Sequence, residues 1–290
     1  MGLLDGKVAI ITGSGGGLGR THALLLAQNG ARIVINDLGG TRDGVGGGSA
    51  MADQVVSEIK AAGGQAVANY DSVSSITGGE GILKSALDAF GRVDILINNA
   101  GILRDKTLPK TEEADWDSVI AVHLKGTFCV TRPVFTWMKE NGQGGVIVNT
   151  SSTSGLIGNF GQCNYGAAKA GIAGFTRCLA LEGAKYKIRA WGLAPVAFTR
   201  MTSDLMGGAA NEAAAKALDP ARISQAVLYM VSELSGNKTG KFLFVGGARV
   251  AELKVCGTDG LRKDGFSAQD IADNEATVFL PESMGFDMRS

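Results

Sequence analysis

Short, continuously apolar runs alternate with helically patterned segments along most of this chain, and that alternation limits the possible fold more than any other feature. VAIIT (8–12) precedes THALLLAQNG (21–30), RIVIND (32–37) precedes ADQVVSEIKAAGG (52–64), and QAVANY (65–70) precedes a helical pattern near 76–90. VDILINNAG (93–101) is followed by a helical pattern near 112–140, and GGVIVNTSS (144–152) by another from about Tyr165 to Tyr186. A strand near KIRAWGLAP, a helix near 220–235 and a last strand, KFLFVGG, complete the series. A strand with no polar alternation must be covered on both faces, and helices between successive strands supply that cover. The pattern predicts an α/β fold: a doubly wound parallel sheet of about seven strands with helices on both faces.

With 290 residues, 45% of them hydrophobic, one domain can bury such a core. We expect that domain over 1–256 and a more polar extension over 257–290 packed on it, with a short helix opened by Ser267 and Asp270. Two connections are long. Residues 38–50 carry six glycines, as a mobile surface loop would, and residues 196–218 suit either a flap over an apolar ligand or a variable helix pair.

The charges exclude several classes of partner. Lys plus Arg number 28 and Asp plus Glu 28, so no net field draws the chain to nucleic acid or an anionic membrane. The four cysteines are far apart and the histidines are only His22 and His123, so neither a disulfide framework nor a metal site is expected. Cys163 reads as a small buried thiol. No apolar run is long enough to span a bilayer, and neither a secretion signal, a myristoylation signal nor a peroxisomal SKL tail is present, which leaves the cytoplasm as the expected location.

Two motifs carry chemistry. TGSGGGLG (12–19) stands between the first strand and the helix that follows, where glycines permit a tight turn and close approach of a pyrophosphate to free N–H groups. Asp37 ends the next strand, where a carboxylate can accept hydrogen bonds from adenosine ribose hydroxyls and repel a 2′-phosphate. NAD is therefore preferred to NADP, although Arg42 in the glycine loop could reach a phosphate. In CNYGAAK (163–169), a helix would stack Tyr165 and Lys169 on one face, and an ammonium there would lower the phenol's pKa. Taken alone, the pair reads as a surface tyrosine beside a solvated lysine.

TGSGGGLG, NNAG (98–101), Ser152 and YGAAK (165–169) occur in the order that characterises the short-chain dehydrogenase/reductase family, which this chain resembles from about Lys7 to Val250. Within that family VHLKGTF, VINDLGGTRDGVGGGS, VANYDSV, NNAGILRD and GNFGQCNYGAAK are similar to the dehydrogenase domains of type 2 peroxisomal multifunctional enzymes, which oxidise (3R)-hydroxyacyl-CoA with NAD.

The resemblance implies a Rossmann-type fold and a catalytic set. Tyr165 would exchange the proton of the substrate alcohol, Lys169 would lower its pKa and bind the nicotinamide ribose, and Ser152, rather than Ser151 or Ser154, would hold the substrate oxygen. His123 stands where the family often has an asparagine that supports a proton-relay water. It could take over that role or be a core histidine. The cofactor would meet Gly13, Ser14, Gly17, Leu18, Gly19 and Asp37, then Asp71, Ser72 and Val73, then Asn99, Ala100 and Gly101, and finally Pro195, Val196 and Thr199, besides Tyr165 and Lys169. Asn98 would brace strands.

The substrate implied is a small molecule of the acyl-CoA type, with Arg104, Lys106 or Arg200 available for CoA phosphates. A hydroxysteroid dehydrogenase, a 3-oxoacyl-carrier-protein reductase and an NAD(H)-binding sensor without turnover are the alternatives. Small residues along the helix after Tyr165 allow close packing on its own sheet or on another helix, and the family resemblance, in which this helix and the one before it form a dimer contact, implies a homodimer or homotetramer.

Overall fold

The computed structural model describes residues 2–199, 202 and 211–281. The chain divides into two compact units, Met1–Glu252 and Leu253–Ser290. Arg200 and most of the segment between Thr199 and Asn211 lie outside the described residues.

The first unit alternates strands and helices as the apolar runs imply. β1 (Val8–Thr12), α1 (Gly17–Gln28), β2 (Arg32–Asn36), α2 (Ala50–Ala61), β3 (Gln65–Asn69), α3 (Ile76–Phe90) and β4 (Ile95–Asn98) form one half. Beyond them, α4 (Glu113–Ile120) passes through a π-turn (Ala121–Lys125) into α5 (Gly126–Glu140). β5 (Gly145–Thr150), α6 (Thr153–Leu156), α7 (Cys163–Gly183), β6 (Ile188–Val196), α8 (Glu212–Ala217), α9 (Pro220–Val231) and β7 (Lys241–Gly246) follow. An eighth strand, β8 (Arg249–Leu253), lies at the edge beside β7.

The sheet order is β3-β2-β1-β4-β5-β6-β7-β8, parallel from β3 through β7. β8 adds an edge strand to the expected sheet of about seven. RVAEL is never fully buried and carries no strong apolar run, so the pattern does not announce it. A connection of only Gly247 and Ala248, with Gly247 at φ 56°, leaves β8 antiparallel to β7.

Period-two alternation splits the strand residues between two apolar layers. Ile11, Ile33, Ile35, Ile97, Val148 and Leu193 face α1, α2 and α9. Val8, Ile10, Val34, Leu96, Ile147 and Ala190 face α3, α5 and α7. Since side chains alternate across a strand, burial of both sets requires helices on both faces.

Polar rungs finish the C-terminal edge of the sheet. Asn98 and Asn149 are paired in register, and Asn98 Nδ2 donates to Asn149 Oδ1 at 2.8 Å and to Thr131 Oγ1 at 2.8 Å. Asn36 Nδ2 donates to Asn69 Oδ1 at 2.8 Å in the same way between β2 and β3. Buried amides satisfied in this way fix the strand ends instead of costing stability.

The glycine-rich loop after β2 is anchored. Leu103 N donates to Arg42 O at 3.0 Å and Arg104 Nε donates to Asp43 O at 3.1 Å. Gly44, at φ 83°, passes so close to Ile102 that an added Cβ would lie 3.1 Å from Cγ2. This loop therefore spans from the end of β2 to the segment after β4.

In the second unit, α10 (Ala268–Asp273) opens on the capping box of Ser267 and Asp270, and α11 (Glu275–Val278) follows. Among the described residues no helix is long and apolar enough to cross a membrane, and no group of three or more His, Cys, Asp or Glu could hold a metal ion.

Close approach of α3 and α5 depends on Gly79, where a Cβ would fall 2.0 Å from Cys129 O. Gly79→Ala is expected to lower stability by about 1–3 kcal/mol through overpacking, as read from a denaturant midpoint.

Candidate active site

The sheet order reverses between β1 and β4, and the two strand ends there are clasped together. Thr12 Oγ1 accepts from Asn99 N at 3.0 Å and from Ala100 N at 3.1 Å, while Asn99 Nδ2 donates to Thr12 O and to Gly13 O, each at 3.0 Å. Gly13, at φ 63°, turns the chain where a Cβ would lie 2.7 Å from Ala100 Cα, so only glycine fits. α1 starts at Gly17 with no side-chain cap from Gly16, which leaves the N–H groups of its first turn directed at the cleft.

Asp37 stands at the mouth of this turn. Its Oδ2 accepts from Gly15 N at 2.8 Å and its Oδ1 from Gly39 N at 2.7 Å. A Cβ on Gly15 would lie 2.9 Å from the Asp37 carboxyl carbon, so the carboxylate rests on bare backbone. Asp71, Ser72 and Val73 lie just past β3: the Asp71 carboxylate accepts from Asn69 Nδ2 at 2.7 Å, Ser72 Oγ accepts from Ser74 N at 3.2 Å, and Val73 is buried against Gly126. Pro195 and Val196 close β6, and Thr199 comes to the glycine turn, its Cβ 3.9 Å from where a Cβ on Gly17 would sit.

Three side chains converge beside this cradle. α7 carries Tyr165 and Lys169 on one face, with Lys169 Nζ 5.4 Å from the centre of the phenol ring. Lys169 is buried, and Nζ donates to Thr150 O at 2.6 Å. From the end of β5, Ser152 donates a hydrogen bond to the phenol oxygen while its Oγ accepts from Ser154 N at 3.1 Å. The neighbouring serines are occupied elsewhere, Ser151 with Lys169 O at 2.9 Å and Ser154 with Gln162 Oε1 at 2.7 Å.

His123 is set in the π-turn, a distortion frequent at functional sites. Its ring meets Tyr165 edge-on with centroids 5.2 Å apart. Nε2 lies 3.0 Å from Ile102 N and 2.8 Å from Ile102 O, and either tautomer can serve only one of them. Among the described residues, Nδ1 is buried with no partner. Gly101 makes room for the ring, since a Cβ there would lie 2.4 Å from Cε1.

Burial dominates the electrostatics. It pushes the Tyr165 phenol up to about 12, with Asp105 adding to the rise and the Ser152 hydrogen bond opposing it. Burial also brings Lys169 down to about 7. His123 falls to about 3 because of burial and the charge of Lys169, against a smaller opposing effect of the Ile102 backbone, so the imidazole is neutral.

Residues 7–207 match the short chain dehydrogenase family. The chain belongs to that family. A short-chain type dehydrogenase/reductase of Mycobacterium tuberculosis is 49% identical over 273 residues, 94% of this chain and 93% of that protein. A type 2 peroxisomal multifunctional enzyme of Mus musculus is 46% identical over 250 residues, 86% of this chain but 33% of the larger protein. A hydroxyacyl-CoA dehydrogenase of Mycobacterium tuberculosis is 38% identical over 256 residues, 85% of this chain and 79% of that protein. These bear out the family resemblance and the kinship with the type 2 multifunctional enzymes. The chain is thus an oxidoreductase of CH–OH groups, and its fold binds a nicotinamide dinucleotide.

The dehydrogenase fold settles the surroundings of four residues that the sequence singled out. Ser14 is fully buried, its Oγ donating to Ile11 O at 2.7 Å and its N–H to Asn36 O at 3.0 Å, so it has no donor left for a cofactor. Both donor contacts of the Asn99 amide go to the glycine turn, so it shapes the cradle. Cys163 is exposed at the start of α7, not buried. Burial holds Tyr165 above its ordinary pKa, with the Lys169 ammonium against the ring face.

Arg104 and Lys106, offered for CoA phosphates, both meet Asp115, at 3.5 and 2.6 Å. Sequence reasoning passed over Gly15, Asp105 and Gln162. Asp105 and Gln162 lie inside NNAGILRD and GNFGQCNY, but no spacing rule links segments so far apart.

Because the folded Lys169 titrates near 7 and the unfolded one near 10.5, the unfolded chain binds the extra proton between those values. The cost of burying the charge is complete below about pH 7 and lifts as pH rises to 10.5. Lys169→Met is therefore expected to gain stability relative to wild type at pH 7 and to lose that advantage by pH 10; parallel urea midpoints across this window would contradict the assignment.

Proposed function

We propose that the protein oxidises a (3R)-3-hydroxyacyl-CoA to the 3-oxoacyl-CoA with NAD. The observation that carries this reading is the convergence of Ser152, Tyr165 and Lys169 beside a glycine cradle whose mouth holds the carboxylate of Asp37. With both oxygens steadied by backbone N–H groups, Asp37 keeps lone pairs for ribose hydroxyls and its charge for excluding a 2′-phosphate. The acyl-CoA class is supported by the 38% identical relative whose name specifies that substrate, and the (3R) configuration by the kinship with the type 2 multifunctional enzymes.

When bound in the cradle at Gly13, Gly17 and Asp37, an oxidised nicotinamide cofactor would supply the hydride acceptor and a positive charge. Tyr165 takes the proton from the substrate hydroxyl as the carbinol hydrogen leaves as hydride, so the alcohol loses two electrons and becomes the ketone. Ser152 orients the substrate oxygen by a hydrogen bond. A phenol raised by burial needs cations nearby to release its proton; Lys169 contributes one charge and the nicotinamide the other. His123, with Nε2 committed to Ile102, supports the relay through Nδ1.

We also propose a homodimer through α5 and α7, where Leu181 is 80% exposed and Phe128 and Trp116 stand out from α5 and α4. Gly174 has open space before it. Gly174→Trp is expected to keep the fold and to yield a monomer in sedimentation; an unchanged dimer would remove α7 from the interface.

The activity is tested by following NADH or NADPH formation from (3R)- and (3S)-3-hydroxyacyl-CoA of several lengths, beside a free hydroxysteroid. Turnover confined to (3R)-acyl-CoA with NAD is expected, and Tyr165→Phe should abolish it, by about a thousandfold or more, while NADH still binds. Turnover of the free steroid alone, or undiminished activity in the variant, would overturn the reading.

A further inference from the structure

The three residues that follow Leu103 join parts of the site that are distant in sequence. Arg104 O accepts from Asn164 Nδ2 at 3.0 Å, Lys106 forms a bridge with Gln162, and Asp105 Oδ2 accepts from Gln162 Nε2 at 2.7 Å. Gln162 is buried and is the residue from which α7 departs, three positions before Tyr165. Its Oε1 accepts from Ser154 Oγ at 2.7 Å and from Asn159 Nδ2 at 3.0 Å, so the same amide also holds the chain that descends from Ser152. A single carboxylate, through one glutamine, thus governs how the elements bearing Ser152 and Tyr165 meet.

The carboxylate of Asp105 stands apart from the cations beside it in sequence. Its two cationic neighbours, Arg104 and Lys106, are both engaged by Asp115, and among the described residues Asp105 has no ion pair of its own. The charged and titratable groups that face Tyr165 can be named element by element. Lys169 comes from α7, His123, neutral, from the π-turn, and Asp105 from the segment after β4, while Ser152 at the end of β5 adds an uncharged donor. Among the described residues, Lys169 is the basic group and Asp105 the acidic group at Tyr165.

We propose that Asp105 is a positioning residue for the alcohol chemistry: its carboxylate fixes Gln162 at the start of α7 and sets a negative charge against that of Lys169 at Tyr165. This rests on the reading of Tyr165 as the group that exchanges the alcohol proton. The raised affinity of the phenol for its proton, to which Asp105 contributes, favours the form that protonates a ketone over the form that deprotonates an alcohol. Asp105 thereby sets the onset of oxidation at higher pH, and removing its charge should move that onset down.

Two variants separate charge from brace. Asp105→Asn keeps an oxygen that can accept from Gln162 Nε2 and drops the charge, whereas Asp105→Ala drops both. In Asp105→Asn the rising limb of the pH profile of kcat for oxidation is expected to move to lower pH by about half a unit to one unit, so that oxidation below the limb is roughly three- to tenfold faster. In Asp105→Ala the limb moves equally, and the plateau falls by about tenfold because Gln162 is released.

NADH binding, measured by fluorescence, should match wild type in both variants and certifies folding. A limb that stays in place in Asp105→Asn, or an Asp105→Ala plateau equal to that of Asp105→Asn, overturns the proposal, since a merely structural carboxylate would not move the profile. Should wild type oxidise no hydroxyacyl-CoA or other alcohol, the substrate reading fails separately. The charge effect is then read as the tyrosinate absorbance that wild type shows and Tyr165→Phe lacks, with a lower midpoint expected in Asp105→Asn and an unchanged one overturning the inference.

Discussion

The clasp between Thr12 and the pair Asn99–Ala100 is the constraint on which the site depends. In a parallel doubly wound sheet the strands on either side of the reversal in order send their connections to opposite faces, so their ends diverge and leave a crevice. Here Asn99, Ala100 and Thr12 stop that divergence at the level of the glycine turn through four hydrogen bonds among themselves and with Gly13. The crevice is therefore narrow at its base, where glycine backbone lies bare, and opens toward Asp37 on one side and Tyr165 on the other. The asparagine rungs Asn36–Asn69 and Asn98–Asn149 fix the same edge on either side.

The second theme is a contest of charge and burial at one phenol. Placing Tyr165 and Lys169 on one helix face brings the ammonium close, but the enclosure that makes the lysine a near neighbour also strips water from both groups. Desolvation raises the phenol and lowers the lysine, so each is displaced toward its neutral form. His123 adds no charge, Ser152 assists the phenolate, and Asp105 opposes it. The proton on Tyr165 is thus balanced by groups drawn from four separate segments of chain.

These four segments are held together by polar contacts of modest individual strength. The glycine-rich loop rests on Leu103 and Arg104, Arg104 and Lys106 rest on Asp115, and Asp105 rests on Gln162. A continuous chain of contacts therefore runs from Asp37, past the end of β2, to the start of α7. The long insertion after β2 is one end of that chain, which accounts for an ordered loop where six glycines suggested only mobility.

Much of this was legible in the linear sequence, for reasons of short range. Continuous apolar runs such as VAIIT and VDILINN declare strands buried on both faces, TGSGGGLG declares a tight turn at a helix start, and YGAAK puts two side chains on one helix face. Each is decided within a few residues by steric and periodic rules. What the sequence could not decide is everything that depends on residues far apart in the chain. The β8 hairpin is set by an edge rather than by an apolar run, and Ser14 and Asn99 turn their donors inward because neighbouring strands place carbonyls there. The direction of the Tyr165 shift follows from burial, which exists only once the helices close over the sheet. Asp105 meets Gln162 for the same reason: the crossover from β4 to β5 returns the chain to the same crevice, and tertiary packing alone brings their polar atoms within 2.7 Å.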